Sequence, residues 1–149
     1  MNKIFVLNGP NLNLLGIREP HIYGHTTLKD VENLCAKTCK DHGLEMDFRQ
    51  TNHEGVLVDW FHEAREKKIA GIVINPAAYT MTSVALLDAT KSISPLPVIE
   101  IHISHVHQRE EFRQKSWISY GVKATLCGFG IHGYALAIAG LAEMTKAKG

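Results

Sequence analysis

Apolar and polar positions come in blocks along this chain, and the period changes from block to block. KIFVL (3–7) is a short apolar run ended abruptly by NGPNLNLLG, and it reads as a buried strand running into a polar loop. TTLKDVENLCAKTCKDHG (26–43) switches to a helical period. Val31, Leu34, Cys35 and Thr38 form its stripe, Thr27 is placed to cap it and Gly43 suits its C-terminal end. LEMDFRQ (44–50) alternates as a half-buried strand does. EGVLVDWFHEAREKK (54–68) is predicted helical, AGIVIN (70–75) a continuous apolar strand, SVALLDATKSI (83–93) a short helix and PVIEIHI (97–103) a strand. The spacing then predicts a helix over QREEFRQKS (108–116), a strand over VKATLCG (122–128) and a final helix over HGYALAIAGLAEMTKAK (132–148).

Five strand segments separated by helices imply an open parallel sheet covered on both faces. Right-handed crossovers favour a flavodoxin-like α/β three-layer sandwich with a five-stranded parallel sheet in the order 2-1-3-4-5, occupying residues 1–149 as a single domain. No internal repeat, linker or low-complexity segment interrupts the pattern. In such sheets ligands bind outside the carboxyl ends of the strands. Those ends are NGPNLN, TNHEG, NPAAYTMTS, HISHVH and GFGIHG, which hold most of the chain's Asn, His and Gly. The first forms one wall of a site, and the longer loop from Gly16 to His25 is placed to act as its lid.

Composition narrows the function. Lys+Arg 16 against Asp+Glu 15 gives a formal net charge of +1, and no basic run interleaves with aromatics, so nucleic acid is not an expected partner. No stretch approaches the ~20 apolar residues of a membrane span, and the start is too short for a signal peptide, which makes a reduced cytoplasm the expected setting. Cys35, Cys39 and Cys127 are too few for a disulfide framework; the first two are expected to pack on one helix face.

Candidate chemistries then compete at the strand ends. Gly128, Gly130 and Gly133 form a GxGxxG, but the dinucleotide fingerprint needs a following strand with an acidic residue, and the sequence ends first; a tight turn and close packing explain these glycines. No phosphate loop is present, and asparagines stand where a phospho-acceptor site would want acids. His102, His105 and His107 suggest a metal, yet His105 does not continue the face of His102, and no Cys or Asp nearby completes a ligand set, so no metal is expected. Glu100 does share a strand face with His102. A carboxylate there would fix the imidazole tautomer and favour its protonated form, which suits a general acid. No lysine follows a strand to form an imine, and no Ser or Cys sits in a nucleophile elbow.

NGPNLNLLG, REPHIYG, NHEG, NPAAYT with TSVALLDA, EIHIS, REEFR and GFG together, in order and nearly end to end, resemble the type II 3-dehydroquinate dehydratase family. The resemblance implies anti elimination of water from 3-dehydroquinate to 3-dehydroshikimate without metal or organic cofactor, and a homododecamer built as a tetramer of trimers. It implies Tyr23 as the base, working as a tyrosinate beside Arg18, with Arg113 adding positive charge. A free tyrosine has pKa about 10, and lowering it by ~3 units takes ~4 kcal/mol, within reach of nearby guanidinium groups in a dry site. It implies His102 as the acid, oriented by Glu100 and Asn11, and an asparagine of the first segment holding a water against the enolate. Asn75 and the backbone amides of Ile103 and Ser104 would receive the substrate carboxylate, and Arg113 its ring hydroxyls. Asp88 would enter a neighbouring subunit's site.

The chemistry fits that reading. The proton removed lies next to a ketone, so a base, an acid and neutral donors for an enolate oxygen are required. Three departures stand out. The family's third-strand motif reads NPGAYTHTS, and here Ala77 replaces its glycine and Met81 its histidine; position 105, commonly Asn, is His105. One expected substrate hydroxyl contact, from position 81, is therefore missing. A flavodoxin-like protein that holds a small anion without turnover remains the competing class. Biosynthetic and catabolic use of the reaction are not distinguished, because the chemistry is the same.

Overall fold

A computed structural model describes residues 2–146, except the side chain of Tyr23. Strands β1 (Lys3–Asn8), β2 (Glu45–Gln50), β3 (Gly71–Asn75), β4 (Val98–His102) and β5 (Ala124–Cys127) form one sheet. Every neighbouring pair is parallel, and the order is β2-β1-β3-β4-β5, as expected. Helices α2 (Leu28–Asp41) and α5 (His132–Lys146) cover one face, and α3 (Glu54–Glu66) and α4 (Val84–Ser92) the other. A short helix α1 (Pro20–Tyr23) lies within the predicted lid, with Pro20 in its first turn, where a missing N–H costs nothing.

Alternation along β1 sorts the two cores. Ile4 and Val6 join Val31, Cys35 and Tyr134 on one side; Phe5 and Leu7 join Leu57, Phe61 and Leu86 on the other. Thr27 caps α2 with a capping box to Asp30, and Gly43 takes φ +68 just beyond the helix. Cys35 and Cys39 are buried packing residues; burial pushes their thiols up to about 12 and about 11, which keeps them unreactive. The predicted α5 end at 148 extends past the described residues.

One predicted helix is absent. Residues 108–116 instead form 3-10 turns at Val106–Gln108 and Glu111–Gln114. The segment has no apolar stripe to bury, and its Phe112 is 58 % exposed, so nothing offsets the cost of nucleating a short α-helix. Further 3-10 turns at Leu12–Leu14, Ala77–Thr80 and Ile118–Tyr120 lie in stretches read as loop or left without assignment.

Candidate active site

The carboxyl ends of β1, β3 and β4 meet at the switch in strand order. Register brings Asn8 beside Asn75, and the Gly9 N–H donates to the Asn75 carbonyl at 2.8 Å. A Cβ on Gly9 would lie 2.4 Å from the Pro76 carbonyl oxygen, so only glycine lets the two chain ends come this close. Beneath this crossing runs a buried neutral network. The Tyr134 hydroxyl donates to Asn8 Oδ1 at 2.7 Å and accepts from Asn75 Nδ2 at 2.9 Å. Burial pushes the Tyr134 phenol up, so it stays a neutral hydrogen-bonding group.

Above the crossing lies a cavity of about 170 Å³. Asn11, Arg18, Asn75, Met81, His102, Ile103, Ser104 and Arg113 all line it. Eight candidate residues drawn from five stretches of sequence therefore share one space. Asn11 stands at φ +68 after β1, its N–H held by Asn52 Oδ1 at 3.0 Å. Asn75 presents an amide already oriented from behind, its Oδ1 accepting from the Ala77 N–H at 3.2 Å. Glu100 sits behind His102, fully buried, and Asp88 is exposed on α4 away from this cavity. The Tyr23 side chain lies outside the described residues; its backbone ends α1 in the lid.

His102 and Glu100 form the most distinctive pair. His102 Nε2 lies 2.5 Å from Glu100 Oε2, which leaves Nδ1 as the ring nitrogen for a bound molecule. Ser116 Oγ and Ser119 Oγ donate to Glu100 at 2.8 and 2.7 Å. Burial by itself would raise the Glu100 carboxyl. Hydrogen bonding and charge from His102, with the serine hydroxyls, outweigh it and hold the carboxyl below its usual range.

Sequence reasoning missed Arg109. Its side chain lines the cavity, reaches Ser104 Oγ at 3.5 Å and lies 3.9 Å from Glu19 of the lid. The signal was present, because Arg109 opens the REEFR motif whose closing arginine is Arg113. Three guanidiniums, from Arg18, Arg109 and Arg113, thus face a space holding one buried histidine. His105 lies apart from them: it lines a neighbouring cavity with Ile22, Gly24 and Gly128, and its Nδ1 is 3.9 Å from Cys127 Sγ. The Gly128–Gly130 turn that follows takes φ +92 and +60 before α5 begins, which agrees with the tight turn expected of those glycines; a Cβ on Gly130 would meet nothing within 4 Å, so close packing is not its reason.

Fold and cavity define a flavodoxin-like protein whose strand-end cavity is lined by three arginines and a buried histidine. Comparison with known proteins gives that class its family. The family model described as "Dehydroquinase class II" matches residues 2–142. The chain is 61 % identical over 142 residues to a 3-dehydroquinate dehydratase of Rhizobium johnstonii, covering 95 % of this chain and 97 % of that one. It is 59 % identical over 144 residues to one of Acidovorax ebreus, covering 94 % and 97 %. The crystal structure of type II dehydroquinase from Butyrivibrio crossotus superimposes with a TM-score of 0.92 at 45 % identity, covering 94 % and 97 %. The chain belongs to the type II 3-dehydroquinate dehydratase family, and is a lyase.

Among the described residues no helix is long and apolar enough to cross a membrane, and no group of three His, Cys, Asp or Glu side chains is arranged to hold a metal ion.

Proposed function

We propose that the protein eliminates water from 3-dehydroquinate through an enolate, with Tyr23 as a tyrosinate base and His102 as the general acid. The observation that carries the acid assignment is His102 at the end of β4, in the wall of an arginine-lined cavity and paired with buried Glu100 behind it. Arg18 and Arg109, both in the cavity wall, supply a positive field that favours a phenolate over a phenol. The phenolate removes the proton next to the ketone, and the electron pair moves onto the carbonyl oxygen. An asparagine of the segment after β1 holds a water against that oxygen, a neutral donor that conflicts with neither the phenolate nor the enolate, while Asn11 and Glu100 orient the His102 imidazole. The enolate then expels the hydroxyl, which leaves as water after taking a proton from His102.

Asn75 and the Ile103 and Ser104 amides receive the substrate carboxylate, and Arg113 the ring hydroxyls. Asp88, exposed on α4, serves the site of a neighbouring subunit in a dodecamer of four trimers, in a cytoplasmic setting. Adding 3-dehydroquinate to the purified protein and following ultraviolet absorbance tests the reading. The conjugated enone of 3-dehydroshikimate is the expected product, and binding without its appearance identifies an anion-holding protein instead.

A further inference from the structure

Glu100 is an anomaly in the core. It is fully buried in the middle of the sheet, with Ile74 of β3 and Thr125 of β5 as its register partners. An ionised carboxylate in such a place is costly unless donors surround it. Three do. Oε2 meets His102 Nε2 and the Ser116 hydroxyl, and Oε1 meets the Ser119 hydroxyl. The Ser119 N–H donates to Ser116 Oγ at 3.2 Å, so the Ser116 hydroxyl proton is committed to Glu100. Between the serines, the Trp117 N–H donates to the Thr80 carbonyl at 3.0 Å and Ile118 is buried, which fixes the segment against the site.

We propose that Ser116 and Ser119 are positioning residues for the acid step: by donating to both oxygens of Glu100 they keep it an anion and place the shared proton on His102. The proposal rests on the acid role given to His102 above. Three donors converge on the two carboxylate oxygens, and of the three the imidazole is the one whose proton can pass to a bound molecule. Imidazolium is a far stronger acid toward a departing hydroxyl than neutral imidazole, so where that proton rests sets the rate.

Other charges bear on the pair. Arg18, Arg109 and Arg113 face it across the substrate cavity. His107, Lys115, Tyr120 and Cys127 face it across a second cavity, of about 420 Å³, behind His102. Both serines line that rear cavity. Truncating either removes an oxygen from an open wall, not from a packed interior, so the variants are expected to fold.

The sign of the effect follows from linkage. Without a hydroxyl donor, the state with Glu100 ionised and His102 neutral loses the most stabilisation. The pair then binds its proton more tightly and gives it up less readily. Ser119→Ala is therefore expected to lower kcat about tenfold and to move the alkaline limb of the kcat profile up by about one pH unit, a tenfold change in proton affinity. KM should stay within about threefold, and Ser119→Thr should restore both kcat and limb. Titration of the His102 imidazole by ¹⁵N NMR in the unliganded protein should show the same upward movement. A fall in kcat with limb and NMR titration unmoved overturns the proposal, as does an unchanged kcat. His102→Asn separates this from the parent reading. Turnover retained there overturns the acid assignment itself; turnover lost there, with the Ser119→Ala limb unmoved, overturns only the serines' role.

Discussion

Two carboxylate–cation networks sit on different strands of the same sheet. At the β2 edge, Arg49 forks onto both oxygens of Glu63 at 3.0 and 2.7 Å and reaches Asp47 at 2.8 Å. Its guanidinium lies 4.4 Å from the Phe5 ring centroid and 5.4 Å from that of Trp60. On β4, Glu100 meets His102 and two serines. The first network is partly exposed and uses a cation that never titrates; the second is buried and uses one that does. A permanent, forked, ring-stacked cation suits holding an edge strand to a helix. A buried pair with one movable proton suits chemistry. Backbone strain divides the same way. Among the described residues, three of the four non-glycine residues with positive φ (Asn11, Glu19, Ala77) belong to the site or its lid, whereas Lys68 merely follows α3.

If the two networks have these separate duties, their variants fail in different ways. His102→Asn should lower kcat by about a thousandfold, within the usual range for losing a general acid, and leave the protein folded at the assay temperature, because the new amide can still donate to Glu100. Steady-state rates and a thermal melt on one preparation check both halves; a thousandfold loss accompanied by unfolding would erase the contrast. Arg49→Met is the mirror experiment. Losing a charged fork and its ring contacts costs about 2 kcal/mol, which lowers Tm by about 4–8 °C with kcat per folded molecule unchanged.

Acid separates them further. The Arg49 hydrogen bonds, outweighing partial desolvation, hold the Glu63 carboxyl down at about 2 from an ordinary 4.5. A depressed carboxylate contributes stability that is complete above its unfolded pKa and is lost as pH falls toward the folded value. The Arg49–Glu63 contribution should therefore be constant above about pH 5 and disappear between about 4.5 and 2. Glu63 is 26 % exposed, so screening reduces the effect to about 1–2 kcal/mol. Chemical denaturation of wild type and Glu63→Gln at pH 7 and pH 3 tests it: the gap between the proteins should narrow at the lower pH.

These contrasts bear on what a sequence displays. Strand order was legible because five strand-like segments stand apart, helical stripes separate the first four, and each crossover has one favoured hand. The cavity was legible because polar residues gathered at strand ends. Arg109 was not, since a charged residue in a charged segment looks solvated until the chain folds back over the site. The serines were missed for a similar reason: hydroxyl residues in a loop carry no period, and their partner is a carboxylate sixteen or more positions away. Ala77 was visible only as a replaced glycine. Its φ of +52 supplies the physical reason a glycine belongs there, because a side chain in the left-handed region costs about 1 kcal/mol.

Met81 carries the smallest expected effect and draws the finest line between the two regions. It lines the cavity at the ends of β1, β3 and β4, partly exposed, where the family resemblance places a histidine. Methionine offers a flexible apolar stem and a weak sulfur acceptor; an imidazole would present a ring nitrogen to a substrate hydroxyl. One such hydrogen bond is worth about 0.7–1.4 kcal/mol net. The contact is remote from the proton being removed, so it should form equally in the ground state and the transition state. Uniform binding of that kind changes KM and leaves kcat nearly alone. Met81→His is thus expected to lower KM for 3-dehydroquinate about threefold to tenfold, at 1.4 kcal/mol per decade, with kcat within twofold. The alkaline limb set by the His102–Glu100 pair should not move. Steady-state kinetics across pH decides: an unchanged KM shows that position 81 does not limit binding, and a shifted limb shows that it reaches the proton-transfer pair after all.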